Sequence, residues 1–117
     1  MEVHAITKNV RMSAQKMREV VRQIQGMPAA QAEAVLAVVP RKGARFVAKT
    51  LKSAIANAED LKEHKKEYAG LRTDRLIIKE AVAQTAITIR RFTPKARGSA
   101  GPILKRSCHI KIVLTDE

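Results

Sequence analysis

Apolar residues in the first half of the chain recur with the period of an α-helix. A short β-branched run over residues 3–10 predicts one strand, and helical patterns follow it. The first helical pattern has apolar residues at i, i+3, i+4 and i+7, namely Met17, Val20, Val21 and Ile24. Ser13 precedes this pattern as a predicted N-cap, and Gly26 and Pro28 end it, because glycine tolerates a left-handed cap and proline cannot continue a helix.

Two further helices are predicted between residues 29 and 60. Residues 29–39 form a short helix that ends at Pro40, which we expect to occupy the first turn of the next helix. The helix over residues 41–60 has an alanine-rich apolar face made of Ala44, Val47, Ala48, Leu51, Ala54, Ile55 and Ala58. Because alanine allows close approach, we expect this helix to be the central packing element. Residues 60–75 show no period and predict a connecting segment.

The last third of the chain changes to the pattern of extended strands. Two β-prone runs, over residues 76–89 and 103–114, flank a segment rich in Pro and Gly, which predicts a β-hairpin. A straight strand from Leu76 to Lys95 would span roughly 60 Å at about 3.3 Å per residue. A compact domain of this size has a radius of gyration of only about 13 Å. The hairpin is therefore predicted to project from the body.

The predicted architecture is α+β, with three helices packed on a small antiparallel sheet of about three strands and a long protruding β-hairpin. The 117 residues are predicted to form one domain, with a globular body at about residues 1–82 and 108–117 and a basic hairpin at about residues 83–107. Because Pro94 and Pro102 cannot donate to a strand ladder, the upper hairpin is predicted to be irregular. We expect it to be mobile when free and ordered on binding.

Charge points from the fold to a partner. The chain has 23 Lys and Arg against 11 Asp and Glu, a formal net charge of +12, which favours polyanions and nucleic acid above all. Residues 81–115 contain no acidic residue, and the third predicted helix carries a basic ridge. Such a ridge is often only solvated, but its coincidence with the basic hairpin favours RNA binding. The residues predicted to bind RNA are Arg11, Lys16, Arg18, Arg22, Lys42, Arg45, Lys49, Lys52, Arg90, Arg91, Lys95, Arg97, Lys105, Arg106, His109 and Lys111.

The hairpin tip offers planar guanidinium groups, which bind phosphate oxygens in pairs and stack on bases. Gly98 and Gly101 lack side chains where the backbone could lie against a partner. Phe92 is the one aromatic residue at the tip, and two interpretations stay open for it: stacking on a base, or local packing against Pro94.

Catalysis and metal binding find no support in the residue pattern. Cys108 and His109 are neighbours on a predicted strand, so their side chains point to opposite faces and cannot pair as nucleophile and base. One cysteine and three scattered histidines do not make a zinc site. We therefore expect no enzyme activity, no metal, no cofactor and no small-molecule substrate.

The same features indicate a compartment. A single cysteine excludes an intrachain disulfide and suits a reducing environment. No apolar run has the roughly 20 residues that a membrane span needs, and the N-terminal residues lack a signal-peptide pattern. We expect a protein that is cytosolic, or inside an organelle after processing, and that has no membrane partner.

Four blocks of the sequence together resemble the ribosomal large-subunit protein twenty-two family, bacterial type. The blocks occur in that family's order and read RMSAQKMR at 11–18, KTLKSAIANA at 49–58, PKARGSA at 94–100 and ILKRSCHI at 103–110. The resemblance implies a body on the outside of the large subunit near the mouth of the peptide exit tunnel. It also implies a hairpin that threads through ribosomal RNA and aids subunit assembly by joining distant RNA domains.

The resemblance further implies that the hairpin tip lines the tunnel wall. The implied tip residues are Ile89, Arg90, Arg91, Phe92, Pro94 and Lys95. Arg90 and Arg91 stand where the family carries a Lys-Arg pair near the tunnel constriction. The implied partners are large-subunit ribosomal RNA, neighbouring ribosomal proteins and, transiently, the nascent peptide. We expect the ribosome to be cytoplasmic, with an organellar ribosome as the alternative. The chain departs from the family at residues 83–86, which read Ala-Gln-Thr-Ala where an acidic-Gly-Pro bend is usual.

A DNA-architectural protein with a basic β-arm in the minor groove is the alternative hypothesis. Arm proteins of that kind need a dimer with an apolar interface. The apolar stripes of this chain are narrow and are used up by internal packing, so we expect no obligate homo-oligomer.

If the charge pattern reflects phosphate binding, affinity for RNA must depend steeply on salt. With about six phosphates neutralised, the logarithm of affinity is expected to fall against the logarithm of salt concentration with a slope of roughly −4 to −5. Filter binding across a series of KCl concentrations measures the slope. A flat response would contradict the electrostatic premise.

Overall fold

The structure, a computed structural model, describes residues 1–116. Three α-helices and five β-strands lie in these residues. In chain order they are β1 (Glu2–Val10), α1 (Ala14–Ile24), α2 (Ala29–Val38), α3 (Lys42–His64), β2 (Ile77–Thr85), β3 (Ile89–Pro94), β4 (Ala100–Lys105) and β5 (Cys108–Thr115). The predicted α+β class with three helices is confirmed.

A three-stranded antiparallel sheet in the order β1-β5-β2 forms one layer of the body. Alternate residues of the strands point towards the helices and are buried. For example, Ala5 of β1 pairs with Ile112 of β5, and Ile110 lies on the same face two residues before Ile112. Helix α1 packs over β2, α3 packs over β1 and β5, and α2 packs on α3. The alanine-rich face predicted for α3 is buried or half-buried along its length, so this helix is the central packing element as expected.

The outer edge of β2 is covered by the segment between α1 and α2. The N–H groups of Gly26 and Ala29 donate to the carbonyls of Ile78 and Leu76, each at 2.9 Å, and the Ile78 N–H donates to the Met27 carbonyl at 2.9 Å. Gly26 has φ +79°, the left-handed conformation that turns the chain from α1 onto this edge. The predicted glycine stop of the first helix is confirmed.

Further along the same edge of β2, towards the hairpin, one side chain of α1 and the side chain of its C-cap bond to backbone carbonyls. The Gln25 amide donates to the Ala81 carbonyl, and Nε of Arg18 donates to the Ala83 carbonyl at 3.1 Å. Edge carbonyls and amides that are bonded in this way cannot pair with another strand. Helix α1 is therefore fixed to β2 by polar contacts as well as by its apolar face.

The helix boundaries confirm some expectations and correct others. The hydroxyl of Ser13 accepts from the Lys16 N–H at 3.4 Å, so Ser13 is the N-cap of α1 as predicted. The prediction for Pro40 is wrong, because Arg41 is the extended N-cap of α3 and Pro40 precedes it. Helix α3 continues to His64, beyond the predicted end at residue 60, since Leu61 still packs against the core.

The rising run of the hairpin is divided into two strands that belong to different sheets. Strand β2 pairs with β5 as far as the Thr85–Cys108 pair, and a separate two-stranded sheet begins at Ile89 and Lys105. Between them, the Ala86 N–H donates to the Ser107 carbonyl at 3.1 Å, and the Ser107 hydroxyl donates to the Ile87 carbonyl at 2.6 Å. We call residues 86–88 and 106–107 the joint, and residues 89–105 the arm.

The prediction of an irregular upper hairpin is wrong. Strands β3 and β4 pair without interruption from Ile89–Lys105 to Pro94–Ala100. The Lys95 N–H donates to the Ser99 carbonyl at 2.7 Å, so these two residues form a hydrogen-bonded pair. In an antiparallel ladder such pairs alternate with pairs whose N–H groups point outward. Pro94–Ala100, the next pair towards the body, is therefore of the outward-pointing kind. The Phe92–Pro102 pair is of the same kind, two residues further on. Proline has no backbone N–H, but at these two positions the ladder does not use that group, so neither proline interrupts the pairing.

The arm gives the molecule its elongated shape. The described residues extend over 67 × 28 × 16 Å with a radius of gyration of 17.7 Å, against about 13 Å for a compact domain of this size. Strands β3 and β4 have their main contacts with each other. The arm projects from the body instead of folding back on it.

Asp116 connects the two ends of the chain to the segment after α3. Its carboxylate accepts from the Arg72 N–H and from the Met1 ammonium group, each at 3.3 Å. These contacts, the Arg72 bond first, hold the pKa of the Asp116 carboxyl below its usual value. Their contribution to stability is therefore present above the pKa of the unfolded chain and is lost as the pH falls through the lower pKa of the folded chain.

A pair of hydroxyl groups, on the buried Thr50 and the half-buried Thr7, joins α3 to β1, and its geometry predicts an asymmetric response to mutation. Thr50 donates to the Phe46 carbonyl at 2.9 Å, so Thr7, whose hydroxyl lies 2.7 Å from that of Thr50, must be the donor between them. Thr50→Val should cost about 1–2 kcal/mol of unfolding free energy, because it leaves the Thr7 hydroxyl without its acceptor. Thr7→Val should cost less, and the double variant should cost less than the sum of the two. Urea denaturation measures all three, with Ser53→Ala on the exposed side of α3 as the control; strict additivity would contradict the assignment.

Candidate nucleic-acid interface

The predicted RNA-binding side chains are accessible, and the Lys and Arg residues among them carry charge that no ion pair within residues 1–116 neutralises. All sixteen are exposed except His109 and Lys111, which are half-buried. Within residues 1–116 the ion pairs are Met1–Asp116, Arg41–Glu19, His64–Asp60 and Lys79–Glu2. In this part of the chain, none of the sixteen predicted residues takes part in an ion pair. The positive field of this surface is thus not cancelled by the protein's own carboxylates.

A basic cleft of about 450 Å³ lies between the start of α1 and the joint. We call it the helix-side cleft; its cationic members are Lys16 and Arg18 from α1 and Arg106 from the joint, and no acidic residue lines it. Because Nε of Arg18 is bonded to the Ala83 carbonyl, the guanidinium group is held in place and its terminal amino groups stay available.

A second basic cleft, of about 490 Å³, is lined by the base of the arm and by the end of β1. We call it the strand-side cleft. Its lining residues are Asn9, Arg11, Ile87, Ile89, Arg91, Lys105, Arg106 and Ser107. Arg106 and Ser107 line both clefts. The structure therefore brings Arg11, Arg91 and Lys105 together around the joint.

The basic ridge of α3 borders a groove of about 710 Å³ between α2 and α3. Lys42, Arg45 and Lys52 line this groove together with apolar residues and one acidic residue, Glu33, whereas Lys49 does not line it. Arg41 also lines the groove, but its guanidinium group lies 2.8 Å from the Glu19 carboxylate and is neutralised. The ridge is a second exposed basic surface, separate from the joint.

The tip residues predicted from the family resemblance divide between the two faces of the arm. Arg90 is paired with Leu104 and shares its face with Phe92 and Pro94, whereas Arg91 is paired with Ile103 on the opposite face. The two adjacent arginines thus form no single patch. Phe92 is 76% exposed, so local packing against Pro94 leaves most of its ring uncovered.

The turn at the end of the arm requires two left-handed residues, Arg97 with φ +61° and Gly98 with φ +72°. Gly101 differs from expectation. It is buried, because the methylene groups of Lys95 lie where its Cβ would be, so a partner does not reach its backbone from that side.

His109 and Lys111 lie on the sheet face that the helices leave open. The Nδ1 atom of His109 accepts from the Asn9 N–H at 3.1 Å, so the neutral ring carries its proton on Nε2. Lys111 is paired with Ile6 on one side and with Val82 on the other. Arg22, in the last turn of α1, is exposed and lies apart from both clefts.

Cys108 faces the core next to His109, as strand alternation predicted. It is fully buried, and burial raises the pKa of its thiol, with Arg18 acting in the opposite direction. Among residues 1–116 no group of His, Cys, Asp and Glu side chains is arranged to hold a metal ion. No helix in the same residues is both long and apolar enough to cross a bilayer.

Sequence reasoning missed two residues that shape the clefts. Ser107 closes the joint through its hydroxyl, a role that depends on the interruption of the hairpin and leaves no signal in the sequence. Asn9 has φ +57° at a bulge in β1, where the register with β5 shifts. Asparagine is one of the few residue types that adopt this conformation readily, so Asn9 near the predicted end of the strand was a usable signal.

The basic surface, the projecting arm and the order of the elements agree with one protein family. The family model for ribosomal protein L22p/L17e matches residues 5–115. The chain belongs to this family. A large ribosomal subunit protein uL22 from Opitutus terrae is 49% identical over 116 residues, covering 99% of this chain and 96% of that protein. Proteins of the same description from Akkermansia muciniphila and Methylacidiphilum infernorum are 45% and 48% identical over 117 residues, covering the whole chain and 98% and 96% of their own lengths.

Membership in the L22p/L17e family confirms the resemblance drawn from the four sequence blocks. The chain is a ribosomal protein and not an enzyme, and its place is the ribosome. The alternative of a DNA-architectural protein rested only on the helices and the basic arm. Both features also fit the L22p/L17e family to which the chain belongs, so the alternative loses its support.

The separation of arm and body predicts the effect of removing charge from the arm. Replacing Arg90, Arg91, Lys95 and Arg97 together with Ala should leave the helical circular dichroism signal and the urea midpoint of the body unchanged, because these residues are exposed in β3 and the tip. The same variant should bind large-subunit RNA at least tenfold more weakly, since four phosphate-binding cations are lost. A fall in helical signal would contradict the independence of arm and body.

Proposed function

We propose that this chain is a structural constituent of the large ribosomal subunit that binds ribosomal RNA. The observation that carries the proposal is the arm, which projects from the body, contains no acidic residue and has no ion pair within the described residues 1–116. Unneutralised guanidinium and ammonium groups on an extended frame are stabilised by a polyanion that surrounds them. The relatives' description as large ribosomal subunit proteins supports RNA of that subunit as the polyanion.

The body and the arm have different parts in this proposal. The ridge of α3 and the two clefts at the joint are separate basic surfaces, and the arm carries further cations beyond the body. A protein with separated phosphate-binding surfaces holds RNA segments together that are distant in sequence. We propose that the chain aids assembly of the subunit in this way.

The arm tip is proposed to line the peptide exit tunnel. Its two faces combine apolar and cationic side chains, with Phe92 and Arg90 on one face and Ile89 and Arg91 on the other. One face of a ribbon can bind RNA while the opposite face borders an open passage. The nascent peptide and neighbouring ribosomal proteins are proposed as further partners.

Co-sedimentation tests the proposed function. The labelled full chain is added to a reconstitution of the large subunit from its RNA and proteins, with chromosomal DNA as competitor, and sucrose gradients locate the label. We expect the label in the large-subunit peak, retained at a mass excess of DNA because a folded RNA surface matches the arm. Displacement by DNA at equal mass, or label left at the top of the gradient, would overturn the proposal.

A further inference from the structure

We propose that the joint is an RNA clamp: one strand of RNA places phosphates in both basic clefts, Arg106 serves both, and the bound strand sets the direction of the arm relative to the body. This inference rests on the proposed function and adds to it a specific site and a mechanical role for that site.

The first observation is that like charges gather at the joint without a counter-charge. The helix-side cleft holds Lys16, Arg18 and Arg106, and the strand-side cleft holds Arg11, Arg91, Lys105 and again Arg106. No carboxylate lines either cleft. Cations in such proximity repel one another, and an anion between them removes that cost. Arginine supplies the paired donors that phosphate oxygens accept.

The second observation is that the two clefts adjoin each other at the joint. Arg106 and Ser107 line both of them, so the clefts lie on either side of a stretch of only two residues. A polyanion with regularly repeated charges occupies two adjacent clefts at once, which a single small anion cannot do. The phosphodiester backbone of an RNA strand has this property.

The third observation is that the arm is weakly tied to the body. The pairing of β2 with β5 ends at Thr85 and that of β3 with β4 begins at Ile89. Between these ladders, the joint is held by the Ala86 and Ser107 hydrogen bonds described above. A short segment with few bonds between two ladders is where the direction of a ribbon changes most easily.

One side of the clamp is rigid and the other moves with the arm. Arg18 is fixed to the Ala83 carbonyl at 3.1 Å and so belongs to the body, whereas Arg91 and Lys105 belong to β3 and β4. A strand of RNA bound to both sets therefore selects one direction of the arm. Tip residues cannot have this effect, because they lie on one side of the joint only.

Distance measurements between spin labels test the clamp in the full-length protein. Labels on Ser53→Cys in α3 and Ala96→Cys at the tip report the direction of the arm, and the fully buried Cys108 stays unlabelled. We expect a broad distance distribution for the free protein and a single narrow one with deproteinised large-subunit RNA. Inorganic phosphate alone should leave the distribution broad, because it cannot connect the two clefts.

Arg106→Gln is the decisive variant, and Arg75→Gln is its matched control. Arg75 is exposed and lines neither cleft. Arg106→Gln should weaken RNA binding about fivefold to tenfold and lower the magnitude of the salt slope by about one. It should also keep the distance distribution broad at saturating RNA. Arg75→Gln should leave the distance distribution narrow at saturating RNA.

The outcomes separate the clamp from the proposed function. If Arg106→Gln weakens binding but the saturated complex still gives the narrow distribution, the clamp is overturned and RNA binding stands. A free protein that already gives the narrow distribution, or narrowing by inorganic phosphate alone, also overturns it. If the unmodified chain does not bind large-subunit RNA at all, the proposed function falls together with the clamp.

Discussion

The backbone pairing of β5 is the constraint on which the structure depends. This strand is bonded to β1 on one side and to β2 on the other, and its core-facing residues are fully buried beneath the helices. It also follows the arm directly, because β4 leads into it through residues 106–107. An isolated two-stranded ribbon is marginal in water, so its position has to come from the sheet that continues it. The body thus serves as the foundation of an arm that makes little contact with it.

Electrostatics and packing are divided between the two parts of the molecule. The few acidic residues that form ion pairs belong to the body, where Glu19 pairs with Arg41 and Glu2 pairs with Lys79. The arm contains no acidic residue and, among residues 1–116, forms no ion pair, so a polyanionic partner is what neutralises its charge. Alanines on α3 let this helix pack closely against the sheet and against α1, where a Cβ at Gly43 would lie 3.1 Å from the Met17 sulfur, so the core needs few aromatic residues.

Much of the fold was predictable because local signals agreed with tertiary packing. Ser13 lies at the start of α1 and Gly26 follows its end, as their residue types suggest. The apolar stripe of α3 faces the core. Periodicity could not reveal the interruption at residues 86–88, because the β-prone residues continue through it. It also could not indicate that Pro94 and Pro102 lie in outward-facing pairs, since that depends on the register of the ribbon.

The sequence predicted which cationic residues belong to the candidate site, and the structure shows which of them lie together. Sequence patterns identified charge and exposure, and the family resemblance treated Arg90 and Arg91 as a pair, although strand alternation separates them. The convergence of Lys16, Arg18 and Arg106 required the crossing of α1 over β2, which brings residues far apart in the sequence together. Such long-range proximity has no local signal.

The two outward-facing prolines have a consequence for the protein before it meets RNA. Each removes an N–H donor from an outer edge of the arm, at Pro94 on β3 and at Pro102 on β4. An extended ribbon with complete outer edges would invite the ribbons of other copies to add to it side by side. Because both edges are interrupted by proline, the arms of newly made chains are hindered from pairing edge to edge into fibrous aggregates before the chains are incorporated into a ribosome.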